Sequence, residues 1–307
     1  MRIGINASNL VVMGATVDDY VAHAAAAEAD GLSSWWMAQL GAPDALTTLG
    51  AVGRGTSTIE LGTAVVATWL RHPLMLAAQA LTTQEMAGGR LALGIGLAHK
   101  PVIEGTLRVP FERPARHMSE YLSVLLPALA DRRVHAEGDI WSGVTDGLGG
   151  APGVPAPPVL VAAMGPRMLE LTGARTDGAV LWLSGPRTID GYLRPALEAA
   201  AERAGRPAPR VVASVPMSVT DEPDRVRDLI ATMLAGYNDL PSYRGVMDRE
   251  GVDGPAGVSL VGDEATVRAG VEAFADAGTT DFVPVELVTN EGETKRTRAL
   301  LRELAAG

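Results

Sequence analysis

The 307-residue chain contains no cysteine. That excludes structural disulfides, thiolate metal sites and cysteine nucleophiles. Lysine is nearly absent: Lys100 and Lys295 are the only two, and arginine supplies the remaining basic residues. This bias reads as base composition of the gene, not as phosphate binding along the whole chain. No Lys/Arg block stands out and the formal charge is −10, which argues against nucleic acid as a partner. No apolar run reaches the roughly 18 residues that suggest a membrane span. The opening residues, MRIGINASNL, lack the basic start and long apolar core of a signal peptide. A soluble cytoplasmic protein acting on a small molecule is the expectation. His23, His72, His99, His117 and His135 show neither H-x-H nor HExxH spacing, so no metal site is expected. No G-x-S-x-G elbow occurs, which disfavours α/β-hydrolase chemistry.

What is present is an alternation. Apolar, β-like runs fall at 2–6, 32–38, 59–66, 91–95, 159–163, 178–183, 210–219 and 280–286. Helical patterns lie between and after them, at 18–29, 43–54, 73–87, 112–131, 166–174, 188–204, 223–235, 263–277 and 293–305. Proline opens several of these helices and glycine follows some of their ends, the expected punctuation. Strands that are almost continuously apolar suit a parallel sheet covered by helices. Eight alternations point to an α/β fold of TIM type, a (β/α)8 barrel formed by residues 1–307 as one domain. An open doubly wound sheet is the alternative. Segments near 97–115, 134–158 and 236–257 break the rhythm and read as inserted loops on the carboxyl-end face. The stretch 134–158 is Gly/Pro-rich and too poor in apolar residues for a core element, whereas 236–257 suits a lid or pocket wall as well as a plain connection.

Ligand sites on α/β folds gather at the carboxyl ends of strands. Trp69, Arg71 and His72 follow the third strand, and His99 and Lys100 follow the fourth. All five are candidates for substrate contact, although His72, just before Pro73, serves equally well as a helix cap. His99 is the best placed to move a proton near neutral pH. At least one of Trp35 and Trp36 should pack in the barrel. Gly94-Ile-Gly96 resembles the start of a dinucleotide fingerprint, but the third glycine is missing and Lys100-Pro101 stands where a helix should open. Two consecutive turns, Met164-Gly165-Pro166-Arg167 and Ser184-Gly185-Pro186-Arg187, each lead from a strand into a helix. Helix N-termini with glycine and arginine suit anions, so the pair points to a phosphorylated ligand; ordinary turn chemistry is the alternative.

The pieces IELGTAVV, RHPLMLAAQALTTQEMAGGRLALGIG, VLVAAMGPRMLELTGARTDGAVLW and LVGDEATVRAGVEAFADAGTTDFV together resemble the bacterial luciferase-like oxidoreductases over nearly the full length. RIGINAS, RHP, GLAHKPVIEG and LPSYR look like the branch that uses the 8-hydroxy-5-deazaflavin coenzyme F420. The resemblance implies a TIM-type barrel with a flavin or deazaflavin at its mouth, and a homodimer built on barrel helices. It implies a non-proline cis peptide at Ala64–Val65 supporting the ring. It also implies that Met164, Gly165, Pro166 and Arg167 lie along the ring and ribityl side, and that Ser184, Gly185, Pro186 and Arg187 form the phosphate loop. Two positions depart from the branch's sugar-phosphate dehydrogenases: Ala38-Gln39 stands where they carry Asp-His, and His99 where they carry Glu. Gln39 can orient a carbonyl, and His99 is left as proton donor. The activity implied is hydride transfer between F420 and a hydrophobic substrate, with reduction of C=C or C=N favoured. An FMN-dependent monooxygenase and a non-catalytic flavin-binding barrel are the alternatives.

Overall fold

The computed structural model describes residues 1–307, the side chain of Leu70 excepted. Eight parallel strands close a barrel, which settles the choice against the open sheet. They are β1 (Arg2–Ile3, then Ile5–Asn6), β2 (Ser34–Met37), β3 (Glu60–Thr63, resumed at Val66–Ala67), β4 (Leu91–Gly96), β5 (Val159–Val161), β6 (Gly178–Trp182), β7 (Arg210–Ser214, resumed at Pro216–Val219) and β8 (Asp281–Phe282, resumed at Val285–Glu286). Each pairs with its neighbours in sequence. The ring closes at β1, whose first half pairs with β8 and second half with β2.

Ten helices of two turns or more accompany the strands: α1 (Val17–Ala29), α2 (Ala45–Gly55), α3 (Pro73–Met86), α4 (Pro114–Ala130), α5 (Pro166–Arg175), α6 (Arg194–Arg203), α7 (Pro223–Met233), α8 (Pro241–Glu250), α9 (Glu264–Asp276) and α10 (Glu291–Ala306). Their starts follow local chemistry. Thr16 and Asp19 form a reciprocal capping box on α1, Asp44 caps α2, and proline stands at the first position of α3 to α5.

Period-two alternation sorts the strand side chains. One face of each strand meets the helices; Trp35, for example, packs edge-on against Tyr20 of α1. The other face fills the barrel with Trp36, Ala92, Leu160, Val180, Val212 and Val283, all buried. Trp36 is the one large member, and its register partner on β3 is Gly62, which has no side chain to compete for the space. Both tryptophans at the end of β2 are therefore packing residues.

The amino-terminal end of the barrel is closed by charge. Arg210 of β7 donates to Glu60 of β3 and to Asp281 of β8, each at 2.7 Å, and Arg2 of β1 lies 3.2 Å from Asp281. Asp281 is 1% exposed, so its charge depends on these partners.

The insertions differ from expectation. Residues 134–158 do form regular structure: Val134–Ala136 pairs antiparallel with Gly143–Thr145. β-branched residues supply the strands, and Val134 is buried while Trp141 packs on the main core. Residues 236–257 hold a full helix, α8, and are followed by a short strand, Leu260–Gly262, that pairs with the second half of β7. The 97–115 segment contains one wide helical turn, Pro101–Thr106.

Replacing Arg210 with alanine strands Asp281 without its strongest partner. Equilibrium urea denaturation should show a loss of about 3–5 kcal/mol, the range for breaking a buried ion pair from one side; a loss within 0.5 kcal/mol would mean the cluster is ornamental.

Candidate active site

The carboxyl mouth of the barrel is organised around an interruption in β3. The peptide bond Ala64–Val65 is cis, as the resemblance implied. β2 and the residues after it hold it: Ala64 N–H donates to Met37 O at 2.8 Å, and Gln39 N–H donates to Val65 O at 3.2 Å. Ala64 and Val65 are half-buried and rest on the inner layer that contains Trp36. Val65 also leans across β4. A Cβ added to Gly96 would sit 2.6 Å from Val65 Cγ2, well inside van der Waals contact. Gly96 in the G-x-G run is thus explained by close approach of an apolar side chain, not by a phosphate.

Four of the side chains expected to meet substrate, or to act beside it, have other partners. Gln39 donates through Nε2 to Gly41 O at 2.6 Å and accepts at Oε1 from Ala45 N–H at 2.7 Å, so it shapes its own loop. Arg71 pairs with Asp44, the cap of α2. His72 accepts from Leu74 N–H at Nδ1 and faces Ser142 O with Nε2, which makes it a helix cap and a tie to the hairpin. Lys100 is exposed and lies 3.8 Å from Glu104.

Trp69 is held by a residue that spacing alone does not single out. Its ring stacks on His117 of α4 at 3.8 Å between centroids, with Phe111 at 5.2 Å. Trp141 Nε1 donates to His117 Nδ1 at 3.1 Å, so the neutral ring carries its proton on Nε2 and donates to Thr68 Oγ1 at 2.9 Å. Thr68 in turn donates to Gly96 O at 3.2 Å. This chain ties the hairpin, α4 and the ends of β3 and β4 together. Burial holds the His117 pKa down at about 4, against the attraction of Glu120. The sequence signal was the i, i+4 pair His117–Tyr121 on the buried face of α4, an aromatic pairing rather than a metal spacing.

Past the end of the neighbouring strand, β4, stands His99. The residue before it, Ala98, has φ 54°, and the corresponding residue after β6, Leu183, has φ 55°. Non-glycine residues in the left-handed region gather at functional sites. The His99 ring meets Tyr237 at 5.6 Å and Tyr243 at 5.5 Å, both edge-on. These tyrosines come from the 236–257 insertion and lie 4.7 Å apart, and Trp182 at the end of β6 completes the cluster 6.4 Å from Tyr237. The insertion therefore forms a wall over His99. Burial alone lowers the His99 pKa, and burial raises those of Tyr237 and Tyr243. All three rings are neutral at pH 7.

The two strand-to-helix turns differ from one another. Gly165 opens α5 with no side chain capping it, and a Cβ there would meet nothing within 4 Å. Met164 beside it is half-buried, while Pro166 and Arg167 are exposed. At the second turn Ser184 is fully buried, with Oγ unpartnered among the described residues. The donors that follow are occupied: Glu250, the last residue of α8, accepts from Arg187 N–H at 3.2 Å and Thr188 N–H at 2.8 Å. Arg187 also donates its guanidinium to Glu250 O at 3.0 Å. At Ser184, Gly185, Pro186 and Arg187 a carboxylate of the chain itself thus takes the first N–H donors, and Ser184 Oγ is a buried polar atom still without a partner among the described residues.

Comparison with known proteins agrees with the fold. A profile described as luciferase-like monooxygenase matches residues 1–281. The chain is 26% identical over 283 residues to a 5,10-methylenetetrahydromethanopterin reductase of Methanolobus tindarius, covering 85% of this chain and 83% of that one. Its fold superposes with a TM-score of 0.77 on a coenzyme F420-dependent tetrahydromethanopterin reductase from Methanopyrus kandleri, at 21% identity and covering 99% and 98% of the two chains. It also superposes, with a TM-score of 0.73 and 18% identity over 99% and 97%, on the oxygenating constituent of 3,6-diketocamphane monooxygenase from Pseudomonas putida, solved with FMN.

His23 shares the behaviour of His117: burial and then the Arg298 charge hold its pKa at about 4. Above the ordinary imidazole value of 6.5 both residues are neutral, folded or unfolded. As pH falls from 6.5 towards 4, the unfolded chain takes up protons that the folded chain refuses, so stability drops. Urea midpoints should decline through that window, and the decline should shrink in His117→Gln. A flat wild-type profile there would contradict the buried neutral assignment.

Proposed function

The chain belongs to the luciferase-like monooxygenase family, and from that premise we propose that it is an oxidoreductase using coenzyme F420. In this reading the reduced deazaflavin serves a hydrophobic substrate bearing a C=C or C=N bond. The observation that carries the reading is the half-buried cis Ala64–Val65 shelf at the barrel mouth; past the end of the neighbouring β4 stands an imidazole, His99, whose pKa is lowered by burial alone.

The residues present fit a flavin-type ring. Ala64 and Val65 offer an apolar floor above a filled barrel, and Trp69 Nε1 and Ser184 Oγ are buried polar atoms without a partner among the described residues. Met164, Gly165, Pro166 and Arg167 would hold the ring and its side chain from β5. When bound, the deazaflavin supplies hydride. The chain's own residues do the rest. Trp69, fixed by His117, forms an apolar wall. Tyr237, Tyr243 and Trp182 exclude water from His99. His99 delivers the proton that completes reduction of the substrate. A neutral imidazole gives up its proton poorly, so the protonated form carries this step and its population grows as pH falls.

A second reading keeps the fold and exchanges the cofactor for FMN, with oxygen as co-substrate. The FMN-bound monooxygenase of similar fold favours it. Oxygen consumption with reduced FMN, absent with reduced F420, would select that reading.

Fluorescence titration should show saturable F420 binding, and its failure would remove the first reading. His99→Gln should leave that binding unchanged while lowering turnover about 10²-fold or more, the usual worth of a general acid. Wild-type turnover should rise as pH falls from 8 towards 6, and the variant should lose this dependence.

A further inference from the structure

The turn after β6 already contains an anion. Pro186 has no N–H, so the first donors of the helical run that follows are those of Arg187 and Thr188, and both point at the Glu250 carboxylate. Gly185 explains how the carboxylate comes so close. A Cβ there would lie 2.2 Å from Glu250 Cδ, so only glycine admits it. The same glycine at Gly165 faces open space. The contact is built, not incidental. Glu250 is 8% exposed, Thr188 Oγ1 donates to Val246 O at 3.0 Å, and Arg187 holds the end of α8.

We propose that Glu250 determines which cofactor end-group this barrel accepts. The inference rests on the reading that a flavin-type ring occupies the mouth. A phosphomonoester carries close to two negative charges at pH 7, a phosphodiester carries one, and a phosphate-free ribityl chain none. Near a buried carboxylate that has taken the local donors, each added charge is repelled, and the repulsion is only partly screened because Glu250 itself is withdrawn from solvent. Glu250 thus penalises FMN most, a phosphodiester-bearing deazaflavin less, and riboflavin not at all. A favourable turn is converted into a filter by placing the unfavourable charge in it.

The test is a set of binding titrations, with no turnover needed. Wild-type protein and Glu250→Gln are titrated with two pairs, FMN against riboflavin and F420 against its phosphate-free chromophore. Glutamine keeps an oxygen for one of the two N–H donors, which each meet a different carboxylate oxygen, and removes the charge. Wild type should bind FMN no more tightly than riboflavin. Glu250→Gln should improve FMN relative to riboflavin by roughly tenfold or more, the scale of one charge pair at close range, and F420 relative to its chromophore by less. Wild type binding FMN more tightly than riboflavin would overturn the proposal, as would a ratio unmoved by the substitution. If Glu250→Gln proves unfolded by circular dichroism, the wild-type ratio alone decides. Failure of F420 to bind removes the proposed cofactor but leaves the flavin pair to judge Glu250, and failure of all four ligands overturns both.

Discussion

The indole of Trp36, buried on the barrel axis, is the constraint on which the rest depends. With Ala92, Leu160, Val180, Val212 and Val283 it fills the interior. A filled barrel offers a ligand no passage, so chemistry is confined to the rim at the carboxyl ends of the strands. Ala64 and Val65 rest directly on this plug, and their half-buried faces become the floor of the mouth. The Arg210–Glu60–Asp281 cluster closes the other end, so the barrel has one usable face.

Two aromatic groups then stand at that face. Trp69, His117, Tyr121 and Trp141 form one, wired by hydrogen bonds through Thr68 to the end of β4. His99, Tyr237, Tyr243 and Trp182 form the other. The first is braced by a hairpin and the second by α8, so each insertion supports one wall. This division explains why the two histidines behave differently. His117 has both ring nitrogens engaged and serves as a brace. His99 meets the rings of Tyr237 and Tyr243 edge-on, and burial alone shifts its pKa.

Much of this was visible in the residues. Eight apolar runs, the proline-opened helices and the cis bond at Ala64–Val65 all appear where pattern and resemblance put them. Local chemistry carries the strands and helices, because strand alternation and helix capping need only near neighbours; the cis bond was implied by the resemblance alone. The roles of Gln39, Arg71 and Glu250 did not appear, and of His72 only the helix cap did, not the tie to the hairpin. Each is set by a partner distant in sequence or in a loop whose path is set by packing: Asp44 for Arg71, Ser142 for His72, and the turn at Arg187 for Glu250. A polar side chain after a strand looks available until its partner is known.

By itself, the sequence determined the α/β class, the parallel barrel, the absence of thiol chemistry and the face on which ligands meet the protein. These follow from periodicity and composition, which act over a few residues at a time. Only the tertiary structure decided which of the rim residues are free to act. Buried donors must find acceptors, and those acceptors come from elements far along the chain, as in the pairing of Thr188 N–H with Glu250, 62 positions on. That competition leaves His99 open and fills the turn at Gly185.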